Sequence, residues 1–164
     1  MFERVDAGLL PLCEYVANSW LGTHMKASRW AFAITEMVHL IALAILGGGM
    51  LTTALCASGA IWKGRPLYAV TRDLAPWIAT GLGMLVASGA LLFADGPLRY
   101  YANGAFRIKL ALLIAAVLVG LAAMRAAATA SRARSNHPIL TVLVLCDALL
   151  WLGVGIAGRV IGII

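Results

Sequence analysis

The stretch WAFAITEMVHLIALAILGGGMLTTALC, residues 30–56, decides the fold of this chain. It is long and apolar enough to cross a bilayer, since about 20 mainly apolar residues span a hydrocarbon core about 30 Å thick. Three further stretches have the same character. We therefore predict four spanning helices, over about 30–56, 76–93, 108–124 and 138–164.

The composition agrees with this prediction. Hydrophobic residues make up 62% of the chain and charged residues 12%, and the mean hydropathy is +0.92. Soluble domains are about half apolar and about a quarter charged, so this chain has too little polar surface for a water-soluble fold. The apolar stretches are continuous rather than alternating, which excludes a β-barrel. We expect an all-α, up-down four-helix membrane bundle formed by residues 30–164.

Residues 1–29 have a different pattern. Apolar residues recur there at about helical spacing, with charges between them: Val5, Leu9, Leu12, Val16 and Trp20. Such a segment is typical of an amphipathic helix that lies along the membrane interface. We expect its first helix to end near Pro11, because proline blocks an interior helix hydrogen bond. Pro76 and Pro138 are expected at the first turns of the second and fourth spans, where proline is favoured.

The net charge of +6 indicates which partners to expect. The basic residues lie mainly between the apolar stretches, which favours contact with anionic lipid headgroups. No basic face with a recognisable module is present, so we expect no nucleic-acid partner. The sequence contains no HExxH, Walker or GxGxxG motif and no nucleophile with a neighbouring base, so it indicates no catalytic residue.

Ionisable residues inside the predicted spans are the candidates for function. Each costs at least about 2.5 kcal/mol at the centre of a spanning helix, so each needs a partner or a purpose. At about 1.5 Å per residue, His39 lies about 13 Å below one interface and Asp147 about 13 Å below the other. Glu36 shares a helix face with His39, and Arg159 lies near the end of its span. We predict a buried polar network formed by these four residues.

Two interpretations of this network stay open at the level of sequence. It is a cofactor or proton site, or it is a set of interhelical hydrogen bonds that fixes packing. Gly47, Gly48 and Gly49 follow His39 on the same helix. The missing side chains make room for a flat ring such as haem, or they allow close helix packing.

Several strings occur together in a way that points to a known family: SRWAFAITEMVH (28–39), YYANGAFRIKLAL (100–112) and LWLGVGIAGRVIG (150–162). From about Ser28 to its end, the chain resembles a family of small bacterial inner-membrane proteins annotated only as a domain of unknown function. That family is similar in layout to four-helix copper-resistance-D-type and haem-b membrane proteins.

The resemblance implies that His39 is a haem or metal ligand. Haem b is then the expected cofactor, with Glu36, Gly47 and Gly49 beside it. The second axial ligand is Met124, an unexpected group, or absent. The resemblance also implies a multi-pass protein of the bacterial inner, or plasma, membrane.

Three functions are compatible with these expectations. The first is membrane electron transfer through b-type haem at His39. The second is a non-catalytic accessory subunit of a larger respiratory or photosynthetic membrane complex. The third is a small ion or proton transporter that uses buried Glu36 and Asp147. The expected partners are membrane lipid together with other membrane-protein subunits or further copies of this chain.

Overall fold

The computed structural model describes residues 2–133 and 138–161, and nearly all of them are helical. They form α1 (Phe2–Asn18), α2 (Trp20–Ala27), α3 (Arg29–Ala57), α4 (Leu67–Asp95), α5 (Pro97–Ala102), α6 (Gly104–Ala133) and α7 (Pro138–Ile161). Four of these helices, α3, α4, α6 and α7, are long and apolar enough to cross a membrane. The predicted all-α bundle with four spanning helices is confirmed.

The helix ends differ from the prediction at two prolines. Pro76 lies inside α4, which begins at Leu67, and Pro11 lies inside α1. Proline removes one backbone hydrogen bond, but spanning helices tolerate it where other groups satisfy the freed carbonyls. At Pro76 the freed carbonyl is that of Arg72, four residues earlier, which is an exposed residue near the start of α4. The third spanning helix also continues to Ala133, and the predicted end of the fourth, at 162–164, lies outside the described residues.

The four spanning helices form a ring in chain order. Helix α3 packs against α4 and α7, and α6 packs against the same two helices from the other side. One apolar cluster fills the middle of the ring and includes Leu46, Leu85 and Trp151. The outer surface carries large exposed apolar side chains such as Ile114 and Leu149. This distribution suits a bundle surrounded by lipid tails rather than water.

Small residues allow α3 and α4 to approach closely. A Cβ at Gly81 would lie 2.9 Å from the Leu46 backbone nitrogen, and a Cβ at Gly49 would lie 2.7 Å from Ile78 Cγ1. Small residues are the usual means of close helix packing in membranes. Gly49 therefore serves packing in this structure, whereas the space beside Gly47 is open.

The N-terminal helices pack at the end of the bundle where α3 begins and α4 ends. Helix α1 contacts α5, and α2 contacts α4. Cys13 and Met25 are buried by this packing. The Ser28 hydroxyl accepts a hydrogen bond from the Ala31 backbone N–H at 3.2 Å, which caps the start of α3. Two short helices thus precede the first spanning helix.

Candidate functional site

Asp147 lies on the inner face of α7. The buried residues of this helix recur every three or four positions: Leu140, Val144, Asp147, Trp151 and Val154. This spacing defines one face of a helix, so the sequence of α7 directs an acidic side chain into the bundle together with its apolar neighbours. Asp147 is only 4% exposed. Its Oδ1 atom has no hydrogen-bond partner among the described residues.

Trp151 follows Asp147 by one helical turn and is 7% exposed. Its indole N–H is close enough to attract the carboxyl group electrostatically. No hydrogen bond of acceptable geometry joins the two, however, and within the described chain Trp151 Nε1 is also without a partner. Buried polar atoms are nearly always hydrogen-bonded, so two unsatisfied atoms side by side need an explanation.

Gly120 on α6 makes room for the carboxyl group. A Cβ at this position would lie 3.2 Å from Asp147 Oδ2 and 3.7 Å from its Cγ atom. Any larger residue would crowd the carboxyl group. The facing helix is therefore shaped to accept Asp147 without supplying it with a hydrogen-bond donor from a side chain.

Asp147 and Trp151 line a cavity of about 260 Å³ between the four spanning helices. Thr53 and Thr71 add two hydroxyl groups to its wall. These hydroxyls donate to carbonyls of their own helices, Thr53 to Met50 at 2.8 Å and Thr71 to Leu67 at 3.0 Å. Their oxygen lone pairs can still accept. The rest of the wall consists of small and aliphatic side chains, so the cavity is apolar except around one carboxyl group.

The cavity reaches the outer surface of the bundle between α4 and α6. Leu121 and Met124 of α6 line it, yet they are 49% and 45% exposed. Ala79 of α4 also lines it and is exposed. A residue that both lines a cavity and faces outward lies at its mouth. This mouth opens toward the side of the bundle, between α4 and α6.

His39 forms a second polar site nearer the beginning of α3. Its Nδ1 atom lies 2.8 Å from Ser88 Oγ. The Ser88 hydroxyl donates its single proton to the Met84 carbonyl at 2.6 Å. When Ser88 donates in this way, it accepts the bond from His39, and the proton of the neutral ring is then on Nδ1. The Leu85 backbone also interacts with the His39 ring.

Lys109 lies beside this histidine. A Cβ at Gly158 of α7 would lie 3.2 Å from Lys109 Nζ, so the ammonium group packs against the bare backbone there. Its positive charge also acts on the His39 ring. Lys109 and Gly158, which belong to two of the strings that carry the family resemblance, thus meet at one level of the bundle. On the α4 side, a Cβ at Gly89 would lie 3.3 Å from His39 Cε1, so the ring is packed tightly there.

The two polar sites lie at different depths. On α6, Lys109 marks the level of His39, and Gly120 marks the level of Asp147. Eleven residues of helix correspond to about 16 Å. The structure therefore does not bring His39 and Asp147 together, contrary to the predicted network.

The other two members of the predicted network also lie elsewhere. Glu36 and Arg159 are both exposed, so the prediction that they join a buried network is wrong. The physical reason is the angular position of each residue on its helix. Glu36 is about 100° around α3 from buried Thr35, and Arg159 lies off the buried face of α7 that carries Asp147.

Met124, the candidate axial ligand, lies fifteen residues beyond Lys109 on α6. This corresponds to about 22 Å. Met124 lines the cavity near Asp147 and is not brought to His39. No group of three His, Cys, Asp or Glu side chains suited to a metal ion occurs within residues 2–133 and 138–161.

Gly120, Ser88 and Trp151 are among the contributing residues that were not identified from the sequence as parts of a site. The sequence could have indicated Trp151, because it follows Asp147 by four residues on one helix face. No sequence pattern indicated Gly120 or Ser88, since their roles depend on how neighbouring helices are aligned.

Four spanning helices around a buried carboxyl group and its cavity define this chain as a small polytopic membrane protein with a polar site inside the bundle. It belongs to the family of unknown function DUF6644, whose profile matches residues 12–164. The match includes most of the N-terminal helices in addition to the region that carried the resemblance. No curated protein and no solved structure matches the chain.

Proposed function

We propose that this protein is a small transporter that binds a proton or a small cation inside the membrane, with Asp147 as the binding group. The observation that carries this proposal is the 4% exposed carboxyl group facing a cavity, whose Oδ1 atom has no hydrogen-bond partner among the described residues. An ionisable group inside a spanning helix is costly and characteristically marks an ion or proton pathway.

The electrostatics of the cavity support a cationic occupant. An unpaired buried carboxyl group costs about 1–3 kcal/mol in desolvation, and more when charged. A proton neutralises it, and a cation pairs with it. The protein itself supplies neither, because no described Lys, Arg or His lines the cavity. The missing counter-charge is therefore provided from outside the chain.

Glu36 is not part of this proposal. It lies in α3, but its side chain is exposed, whereas the preceding Thr35 is buried. An exposed carboxyl group is not held against an intramembrane cavity. This difference between two acidic residues makes Glu36 a useful comparison for Asp147.

The test is proton and cation flux into liposomes that contain the purified full chain. Asp147→Asn removes the charge with little change in size, and we expect it to reduce flux at least tenfold. Glu36→Gln and Asp95→Asn are the matched controls, since Asp95 ends α4 far from the cavity, and both should retain flux. If Asp147→Asn transports as well as the unmodified chain, the proposal is refuted.

A second candidate function is membrane electron transfer through b-type haem at His39. The observation that favours it is the 2.8 Å contact between His39 Nδ1 and Ser88 Oγ, which holds one ring nitrogen while the other acts as the ligand. Metal-binding histidines characteristically donate their other ring N–H in this way. Lys109 adds positive charge nearby, which suits the carboxylates of haem. Haem, when bound, supplies one-electron chemistry.

The fit of haem is limited to one protein ligand. Met124 lies too far along α6 to serve as a second axial ligand. One side of the His39 ring packs closely against Gly89, where a Cβ would lie 3.3 Å from His39 Cε1. An absorption spectrum of protein purified from haem-replete cells tests this candidate. A haem band that His39→Ala abolishes supports it, and a colourless preparation eliminates it.

A further inference from the structure

We propose that the occupant of the cavity is a small lipophilic organic ammonium ion that enters from the bilayer between α4 and α6. This inference rests on the proposed function and deepens it, because it names the class of cation that Asp147 binds. It is carried by the size of the cavity, the chemistry of its wall and the position of its mouth.

The size of the cavity suits an organic molecule. Its volume is about 260 Å³, and an engineered protein cavity of about 150 Å³ is known to hold benzene. A proton needs no such space. A ring-sized apolar body with one attached amine fits a volume of this order, and a large multi-ring molecule does not.

The wall chemistry disfavours inorganic cations. Calcium takes six to eight oxygen ligands, and magnesium keeps several waters in an octahedral shell. This cavity offers the Asp147 carboxylate and the hydroxyls of Thr53 and Thr71, while the other lining groups are apolar or aromatic. An ammonium ion needs only one carboxylate for its charge. Its apolar body can then pack against aliphatic side chains and Trp151, as in other ligand sites that combine few polar groups with an apolar wall.

The position of the mouth favours a molecule that dissolves in lipid. Leu121, Met124 and Ala79 lie where the cavity meets the side of the bundle, at the level of the spanning segments. A strongly hydrated ion does not approach from hydrocarbon, since it would first lose its water. A small amine partitions into the bilayer as the neutral free base and reaches this opening sideways. Inside the cavity it takes the proton of the Asp147 carboxylic acid, which gives the ammonium ion paired with the carboxylate.

The experiment is a binding titration of the full-length protein in lipid nanodiscs with benzylammonium. Benzyl alcohol, which has the same ring without the charge, and potassium chloride are titrated in parallel, and empty nanodiscs correct for partitioning. We expect saturable binding of benzylammonium at least tenfold tighter than that of benzyl alcohol. Asp147→Asn should remove this preference, and Asp95→Asn should keep it.

A second variant keeps the inference testable if Asp147→Asn misfolds. Gly120→Ala places a methyl group 3.2 Å from Asp147 Oδ2, so it should displace the carboxyl group and weaken benzylammonium binding at least threefold. Equal binding of the alcohol and the ammonium ion would overturn the inference. Benzylammonium binding that neither Asp147→Asn nor Gly120→Ala weakens would also overturn the inference.

The two proposals fail in different ways. If benzylammonium does not bind but proton flux still depends on Asp147, the organic cation is wrong and the proposed function stands. If Asp147→Asn changes neither flux nor binding, both are wrong.

Discussion

Replacing Asp147 by leucine should make the protein more stable, which is the opposite of the usual effect of a core substitution. The side chain is 4% exposed and its Oδ1 atom is unpaired. Removing a buried unsatisfied group recovers about 1–3 kcal/mol of desolvation cost. The adjacent cavity of about 260 Å³ gives the larger side chain room. We therefore expect Asp147→Leu to raise the free energy of unfolding by about 1–3 kcal/mol.

The assay is reversible unfolding in mixed micelles, followed by the loss of helical signal as a denaturing detergent is added. Cys146→Leu is the matched control, because Cys146 precedes Asp147 on α7 and is exposed. Cys146→Leu adds a leucine to the outer face of α7, and we expect it to change the free energy of unfolding by no more than about 0.5 kcal/mol. Flux measured on the same Asp147→Leu preparation should be lost, which separates stability from function.

A specific result would refute this reasoning. If Asp147→Leu lowers the free energy of unfolding by more than about 1 kcal/mol, the carboxyl group stabilises the bundle through a bond that it makes in the membrane. Asp147 would then be a structural residue, and the cavity would no longer support a binding site.

Two further predictions concern the helix contacts. Gly81→Ala should destabilise the protein by about 1–3 kcal/mol relative to Gly83→Ala, because only the first methyl group meets the α3 backbone. Both changes gain the same helix propensity, so equal unfolding free energies would contradict the packing described here. Ser88→Ala should remove the partner of His39 Nδ1 and lower stability by about 1 kcal/mol. Nitrogen-15 spectra should show the ring proton no longer fixed on Nδ1, and an unchanged spectrum would argue against the bond.

The fold was predictable because it depends on the lengths of apolar stretches, which a sequence displays directly. The helix ends were less predictable. Pro76 marks a helix start in soluble proteins, but in α4 it lies nine residues after Leu67. The sequence does not say whether a neighbouring group will satisfy the carbonyl that proline leaves free, so proline is an ambiguous signal inside a membrane.

The candidate site was predictable in part. The cost of ionisable groups in hydrocarbon identified Asp147 and His39, and the structure buries the first and half-buries the second. Their separation was not predictable, because it depends on the stagger of helices relative to one another. The exposure of Glu36 has a different cause: it is about 100° around the helix from buried Thr35, and sequence alone did not reveal which of them faces inward.

Several predictions are not tested by the fold. Haem at His39, an accessory role in a larger complex, self-association and a bacterial inner-membrane location stay predictions, as does the similarity in layout to copper-resistance-D-type proteins.

The proline within α4 has a mechanical consequence. Pro76 cannot donate to the carbonyl four residues before it, and it lies between Ala75 and Ile78, which both line the cavity. The other three spanning helices contain no proline beyond the first residue of α7. Sharp kinks in helices occur at proline, so α4 can bend at this point without losing a further backbone hydrogen bond. The wall beside Asp147 thus includes a helix position with one backbone hydrogen bond fewer, and replacing Pro76 would restore that bond.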